Sequence, residues 1–363
     1  MTKADISALL LTTEPEVRYF SGFLTRFWES PTRPWYLVVP ADCDPIAVIP
    51  SIGAVLMGKT WIHDIRTWQS PNLADDGVTL LIDTLKEVAP ENGNIGLPSG
   101  HETHARMPIA DLERLKSGLG TRCFTGDNGI MQSLRMVKSP FEIAKIRMAC
   151  QIAGRAFERV SEIAHEGTSL ATVFRDFQIL CLQEGADWVP YLAGGAGQNG
   201  YGDVISPAGP ETLIQSDILM LDTGLVWDGY FCDFDRNFSA GKPNDKVKSG
   251  YQILIEATNV GLGAAAPGAT AAEIYLAMDK IVAGGKRQSG AGRLGHGLGM
   301  QLTEWPSLAA DDNTILQEGM VLTLEPVIEI QPNRLLVHEE NILITAEGAE
   351  LLSPPAPTEI PIL

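Results

Sequence analysis

Over roughly the first 130 residues, short apolar runs alternate with amphipathic stretches. Residues 35–40 (Trp-Tyr-Leu-Val-Val-Pro) and 46–50 (Ile-Ala-Val-Ile-Pro) have the length and β-branched content of buried strands, and 78–88 repeats at helical spacing. These predict a small α/β unit. A longer helical pattern covers 139–164, opened by Ser139 as N-cap, Pro140 at the first helical position and Glu142 three residues after the cap. So firm a helix start marks a second domain, dividing the chain into 1–135 and 136–363. Gly167 closes that helix, and Thr168 or Ser169 caps the next, which runs to about Glu184. Residues 193–202 hold Gly194, Gly195, Gly197, Gly200 and Gly202 and read as a loop, either a ligand cradle or an exposed connection. The loop lacks the strand–GxGxxG–helix setting of a dinucleotide site and the lysine of a phosphate loop. Beyond it the pattern is strand-like at 217–222, 229–238, 321–325 and 335–343, with helices at about 245–265 and 271–282.

Two of these strand pairs carry acids inside apolar runs. The run ending Leu221-Asp222 turns at Asp228-Gly229, a strong hairpin signal, and returns to Asp233. Side chains alternate along the returning strand, so Asp233, Asp235 and Asn237 share one face while Phe234, Arg236 and Phe238 share the other. Val321-Leu322-Thr323-Leu324 delivers Glu325, and Leu335-Leu336-Val337-His338 delivers Glu339. A buried carboxylate must be paired, protonated or metal-bound, because desolvating a lone anion costs several kcal/mol. Any one of these acids is expected to face solvent; four in two hairpins, with few basic residues nearby, point to a shared site. His296 lies in Gly295-His296-Gly297-Leu298-Gly299, where flanking glycines let an imidazole enter a crowded space. Oxygen ligands plus one imidazole suit two divalent ions of Mn, Co, Fe or Zn.

The remaining sequence features narrow the class. With 363 residues, 45% hydrophobic and 20% charged, the chain has enough apolar surface for two cores. A net charge of -18 excludes nucleic-acid and anionic-membrane surfaces, which need excess Lys and Arg. Cys43, Cys123, Cys150, Cys181 and Cys232 form no CxxC pair and read as buried thiols of a cytoplasmic protein. The apolar run Leu9–Leu11 is too short for a signal peptide or a membrane span.

The chain resembles the pita-bread metallohydrolases, the family of methionine aminopeptidase, prolidase, aminopeptidase P and creatinase. The likeness rests on Asp222, a second Asp eleven positions later after Gly229-Tyr230, then His296-Gly-Leu-Gly, Glu325-Pro326 and Glu339. It spans the second domain from Met136 onward, and the first resembles a creatinase/prolidase-type N-terminal domain. The resemblance implies an α/β N-terminal domain followed by an α+β pita-bread catalytic domain. It also implies Asp222, Asp233, His296, Glu325 and Glu339 as ligands of two metal ions that acidify a bridging water and polarise the scissile carbonyl, with Glu325 moving the proton. The implied activity is Xaa-Pro peptidase-like hydrolysis at a C–N bond of a dipeptide or other small polar or zwitterionic molecule, in a homodimer.

Several positions depart from that pattern. Thr303 stands where peptidases carry a second His seven positions after the first, and no His occurs between Val189 and Leu221. Asp235 replaces a usual Thr, Val337 a usual Arg and Val327 a usual Gly. Asp235 either adds a carboxylate to the centre or pairs with Arg236 or a neighbouring strand. Such losses keep a repurposed enzyme in view, similar to creatinase, ectoine hydrolase or the family's dimethylsulfoniopropionate lyase; a metal-free binding protein is disfavoured by the full ligand set. Trp28 and Trp35, in the Pro- and Arg-rich stretch 26–35, are either packing residues or part of a cation-binding aromatic box. Trp188 and Tyr191 are similar candidates on the catalytic domain.

Overall fold

The computed structural model describes residues 1–30, 33–284 and 292–363; Pro31 and Thr32 of the Trp-containing stretch lie outside them. The chain forms two compact units, Met1–Leu134 and Arg135–Leu363.

The first unit is a six-stranded mixed sheet with strand order β4-β3-β2-β1-β5-β6. Its strands are Ala8–Leu11 (β1), Tyr36–Pro40 (β2), Ile46–Pro50 (β3), Asp64–Trp68 (β4), Asn94–Leu97 (β5) and Cys123–Gly126 (β6). Helices Glu14–Ser21 (α1), Ala54–Met57 (α2), Val78–Val88 (α3) and Ile109–Gly118 (α4) accompany it, and Ile130–Met136 (α5) leads into the second unit. Strand alternation divides the apolar side chains between two cores. Leu10, Val38 and Val48 pack with Val78, Leu81 and Leu85 of α3, while Leu9, Leu11, Leu37 and Ile49 pack with Val17, Trp28 and Trp35. Burial on both faces explains why these strands read as continuous apolar runs.

The second unit opens with α6 (Pro140–Glu158), whose Ser139–Glu142 capping box forms as expected, followed by α7 (Leu170–Gln183), capped by Ser169. Helix α6 stops short of residue 164: Arg159 leaves helical geometry and a short 3-10 turn, Val160–Glu162, follows. The strands are Trp188–Gln198 (β7), Asp217–Trp227 (β8), Tyr230–Phe231 (β9) and Phe234–Ser239 (β10), in one antiparallel sheet. Helices Asp245–Ala264 (α8) and Ala271–Val282 (α9) come next. A second sheet runs β12-β11-β13-β16-β17, built from His296–Gly297 (β11), Glu304–Ser307 (β12), Val321–Leu324 (β13), Glu340–Thr345 (β16) and Gly348–Leu351 (β17). Strands Val327–Gln331 (β14) and Arg334–Val337 (β15) extend the β13/β16 hairpin as a ribbon.

In each sheet one face lies under helices. Leu219, Leu221 and Leu225 of β8 meet α6 and α7, and Leu322, Leu324, Ile342 and Ile344 of β13 and β16 meet α8 and α9. By alternation Asp222 leaves β8 on the face away from α6 and α7, and Glu325 and Glu339 continue the register on the face away from α8 and α9.

Two sequence expectations need correction. The glycine-rich stretch is mostly a strand, β7, paired along its length with β8. Its glycines answer to backbone crowding: at Gly194 (φ +140°) a Cβ would lie 2.1 Å from Met220 O, and at Gly195 2.6 Å from Asp203 O. The cysteines are not all buried. Cys150, Cys181 and Cys232 are, but Cys43, in the β2–β3 turn, and Cys123, at the start of β6 on the sheet edge, are exposed. No helix among the described residues is long and apolar enough to cross a membrane.

Candidate metal centre

The Asp228-Gly229 turn has positive φ at both residues (42° and 69°), the type I′ geometry that matches strand twist, and it sets Trp227 opposite Tyr230. The register continues through Cys232, whose amide donates to Leu225 O at 3.1 Å, and places Asp235 opposite Asp222. The same register sets Asp233 opposite Gly224. Facing residues share a face of the ladder, so three carboxylates leave on one side. Gly224 is needed there, because a Cβ would lie 2.1 Å from Leu302 Cδ1 and also crowd Tyr191.

In the second hairpin, Leu324 pairs with Glu340 and Val327 with Val337 in a single register, so Glu325 and Glu339 fall opposite each other. The ladder opens between them because Pro326 has no N–H; its carbonyl instead accepts from His338 N at 3.1 Å. Asn341 ties the hairpins together. Its Oδ1 accepts from Asp233 N at 2.9 Å, and its Nδ2 donates to Asp233 O.

His296 arrives on β11, squeezed between β12 and β13. A Cβ on Gly295 would sit 2.2 Å from Thr323 O and one on Gly297 1.9 Å from Trp305 O, so only glycines admit this strand. Its Nδ1 lies 2.9 Å from Gly297 O, which can only accept; Nδ1 therefore carries the proton. Nε2 then turns its lone pair toward Asp233 Oδ2, 3.4 Å away, an arrangement that repels unless a proton or a cation lies between.

The electrostatics are those of anions gathered without enough positive charge. Burial, then the neighbouring acids, pushes Asp222, Asp233 and Glu339 well above the usual carboxylate range. Burial also raises Glu325, against the pull of His296 and Arg293. Asp222 Oδ1, Asp233 Oδ1, Asp235 Oδ2 and Glu339 Oε1 are buried with no hydrogen-bond partner among the described residues. Orphaned oxygens converging beside an imidazole lone pair fit divalent cations. One atom each from Asp233, His296 and Glu339 lies within 4.8 Å of the others; Asp222 and Glu325 stand outside that trio.

The other candidates separate. Tyr191 borders the site, its hydroxyl donating to Asp222 Oδ2 at 3.0 Å. Thr303, half-buried, follows the Leu302 that covers Gly224. Trp188 opens β7 opposite Val226. Trp28 and Trp35 are 7% and 1% exposed, with ring centroids 5.9 Å apart; Phe23 lies against Trp35, and the Arg106 guanidinium sits 5.3 Å from the Trp28 ring centroid. Both rings are buried within the first unit, and the cation beside Trp28 is one of the chain's own. The Asp235 carboxylate makes no ion pair with Arg236, which donates to the Asp235 main-chain carbonyl, and bonds the neighbouring hairpin instead. Its Oδ1 accepts from Glu339 N at 3.1 Å and lies 3.5 Å from His338 Nδ1. His338 and Asn341 were not singled out from sequence; the only signal was their place in the same acid-bearing strand.

Residues 144–346 match the model of metallopeptidase family M24, and residues 1–137 match the creatinase/prolidase N-terminal domain. The chain is 30% identical over 358 residues to an Xaa-Pro dipeptidase of Pyrococcus furiosus, covering 97% of this chain and 95% of that one. It is 27% identical over 360 residues to an Xaa-Pro dipeptidase of Pyrococcus horikoshii (97% and 94%). The crystal structure of the prolidase from Pyrococcus horikoshii superposes with a TM-score of 0.83 at 26% identity, covering 98% of this chain and 95% of that one. These matches show a metal-dependent hydrolase of the Xaa-Pro peptidase-like kind. The chain belongs to metallopeptidase family M24, with the creatinase/prolidase N-terminal domain ahead of the catalytic one. These relatives do not favour the lyase, creatinase-like or non-catalytic alternatives.

Proposed function

We propose that this chain is a dinuclear-metal dipeptidase, cleaving the bond before proline in small Xaa-Pro substrates, with Asp222, Asp233, His296, Glu325 and Glu339 holding two ions of Mn, Co, Fe or Zn. The observation that carries this reading is the set of buried, unpartnered carboxylate oxygens around His296. Bound divalent ions supply Lewis acidity and an acidified water in such a centre.

The protein groups have separable tasks. The main-chain groups of Asp233 and Glu339 are held by the Asn341 clamp and by Asp235, so the backbone that carries both carboxylates is fixed before any ligand arrives. Glu325 is half-buried with a raised pKa, which suits a group that takes a proton at its carboxylate and returns it to the leaving nitrogen. Tyr191 presents a hydroxyl beside Asp222 and is the polar group we assign to substrate contact where the family histidines are missing. Homodimer formation and a cytoplasmic setting belong to the same reading. The test is metal content by plasma mass spectrometry together with hydrolysis of Xaa-Pro dipeptides before and after chelation. Close to two ions per chain and chelator-sensitive, metal-restorable cleavage are expected; a reconstituted protein that holds no metal, or loaded protein that leaves every Xaa-Pro dipeptide intact, overturns it.

A further inference from the structure

We propose that Asp235 is a sixth side chain of the metal centre, an anchored carboxylate whose second oxygen meets a bound cation. This rests on the metal-centre reading above and adds a residue to it.

The placement comes from the sheet. Asp235 lies opposite Asp222 and two residues beyond Asp233, on the same face as both, and is 1% exposed. Its two oxygens have different surroundings. Oδ1 accepts from Glu339 N at 3.1 Å and faces His338 Nδ1 at 3.5 Å. His338 Nε2 is in turn 3.5 Å from Glu340 Oε1, and Glu340 is held by Arg236 at 2.9 Å, by Ala356 N at 2.9 Å and by Ser353. A chain of buried groups thus fixes the carboxylate from one side. Oδ2 is buried with no hydrogen-bond partner among the described residues. His338, whose pKa burial lowers but the Asp235 and Glu340 carboxylates raise overall, accounts for a charge at Oδ1. It leaves Oδ2 bare on the face shared with Asp222 and Asp233, where a bound cation would meet it.

With Asp235 included, the centre offers five carboxylates and one imidazole. Shared between two ions, that set offers more oxygen donors to each than the five side chains alone. The experiment uses the full chain, stripped of metal and titrated separately with MnCl2 and ZnCl2 by calorimetry, with Mn2+ electron paramagnetic resonance as a second readout. Asp235→Asn keeps volume and the Oδ1 acceptor but removes the charge at Oδ2. We expect its dissociation constants for Mn2+ and Zn2+ to rise by about 10-fold or more, with the bound Mn2+ signal altered. Unchanged binding of both ions in the variant, while wild type binds them, overturns the assignment of Asp235 alone. Wild type that binds neither ion overturns the metal centre itself. Asp235→Thr, judged folded by circular dichroism, carries the same expectation if the Asn variant does not fold.

Discussion

Glu304 and Glu339 are both 2% exposed in the same domain, yet they are opposite kinds of buried acid. Glu304 is gripped by Arg135 and, at 3.2 Å, by Lys138; burial pushes its carboxyl up, but the two cations outweigh it and hold it below the ordinary 4.5. Glu339 faces Asp233, Glu325 and Asp222, and both burial and neighbours push it up. Burial alone therefore decides little. One acid is complete within the protein, and the other belongs to a site finished by cations from outside.

Mutations that exchange these situations should break the contrast. The largest effect is expected from Asp233→Ala or His296→Ala, which should take metal content from full occupancy to none and abolish hydrolysis while circular dichroism stays close to wild type. Next, Glu304→Gln should cost about 3–5 kcal/mol in denaturant unfolding, because it strands two buried cations. Glu339→Gln in metal-stripped protein should do the reverse and raise stability by on the order of 1 kcal/mol, since it removes an uncompensated anion.

Acidity should sharpen the same contrast. A carboxyl whose folded pKa is raised favours the folded state at low pH and loses that contribution as pH rises through the folded value. Metal-stripped protein should therefore lose stability from the ordinary carboxylate range toward neutrality, and metal-loaded protein should not. Glu304 works in the other direction: its share is present above 4.5 and disappears as pH falls, so Glu304→Gln should flatten the acid side of the stability profile. The smallest effect is expected for Thr303→His, with metal content unchanged and stability within about 0.5 kcal/mol.

The hairpins and their acids were legible because each depends on local chemistry: a turn needing two positive φ angles, and strands whose period assigns a face. The glycine-rich stretch was not, since Gly194 and Gly200 serve the close approach of Met220 and Leu335, distant in sequence. Trp35 reads as core more readily than as a box, but sequence leaves both open until its neighbours are known; its burial against Phe23 is what the structure adds. Asn341 has the same limitation, because an amide in an apolar strand shows its partner only once the two hairpins meet.

That clamp also dates the site within the life of the protein. Asp233 and Asn341 are 108 residues apart, and they join two hairpins that must each form first. A contact of such long range forms late, after the helices and the first hairpin. Until the two hairpins meet, the backbone carrying Asp233 stands apart from the strand carrying Glu339. On the proposed reading an ion would then be taken up by a folded domain, and stripping it should leave the Asn341 clamp in place.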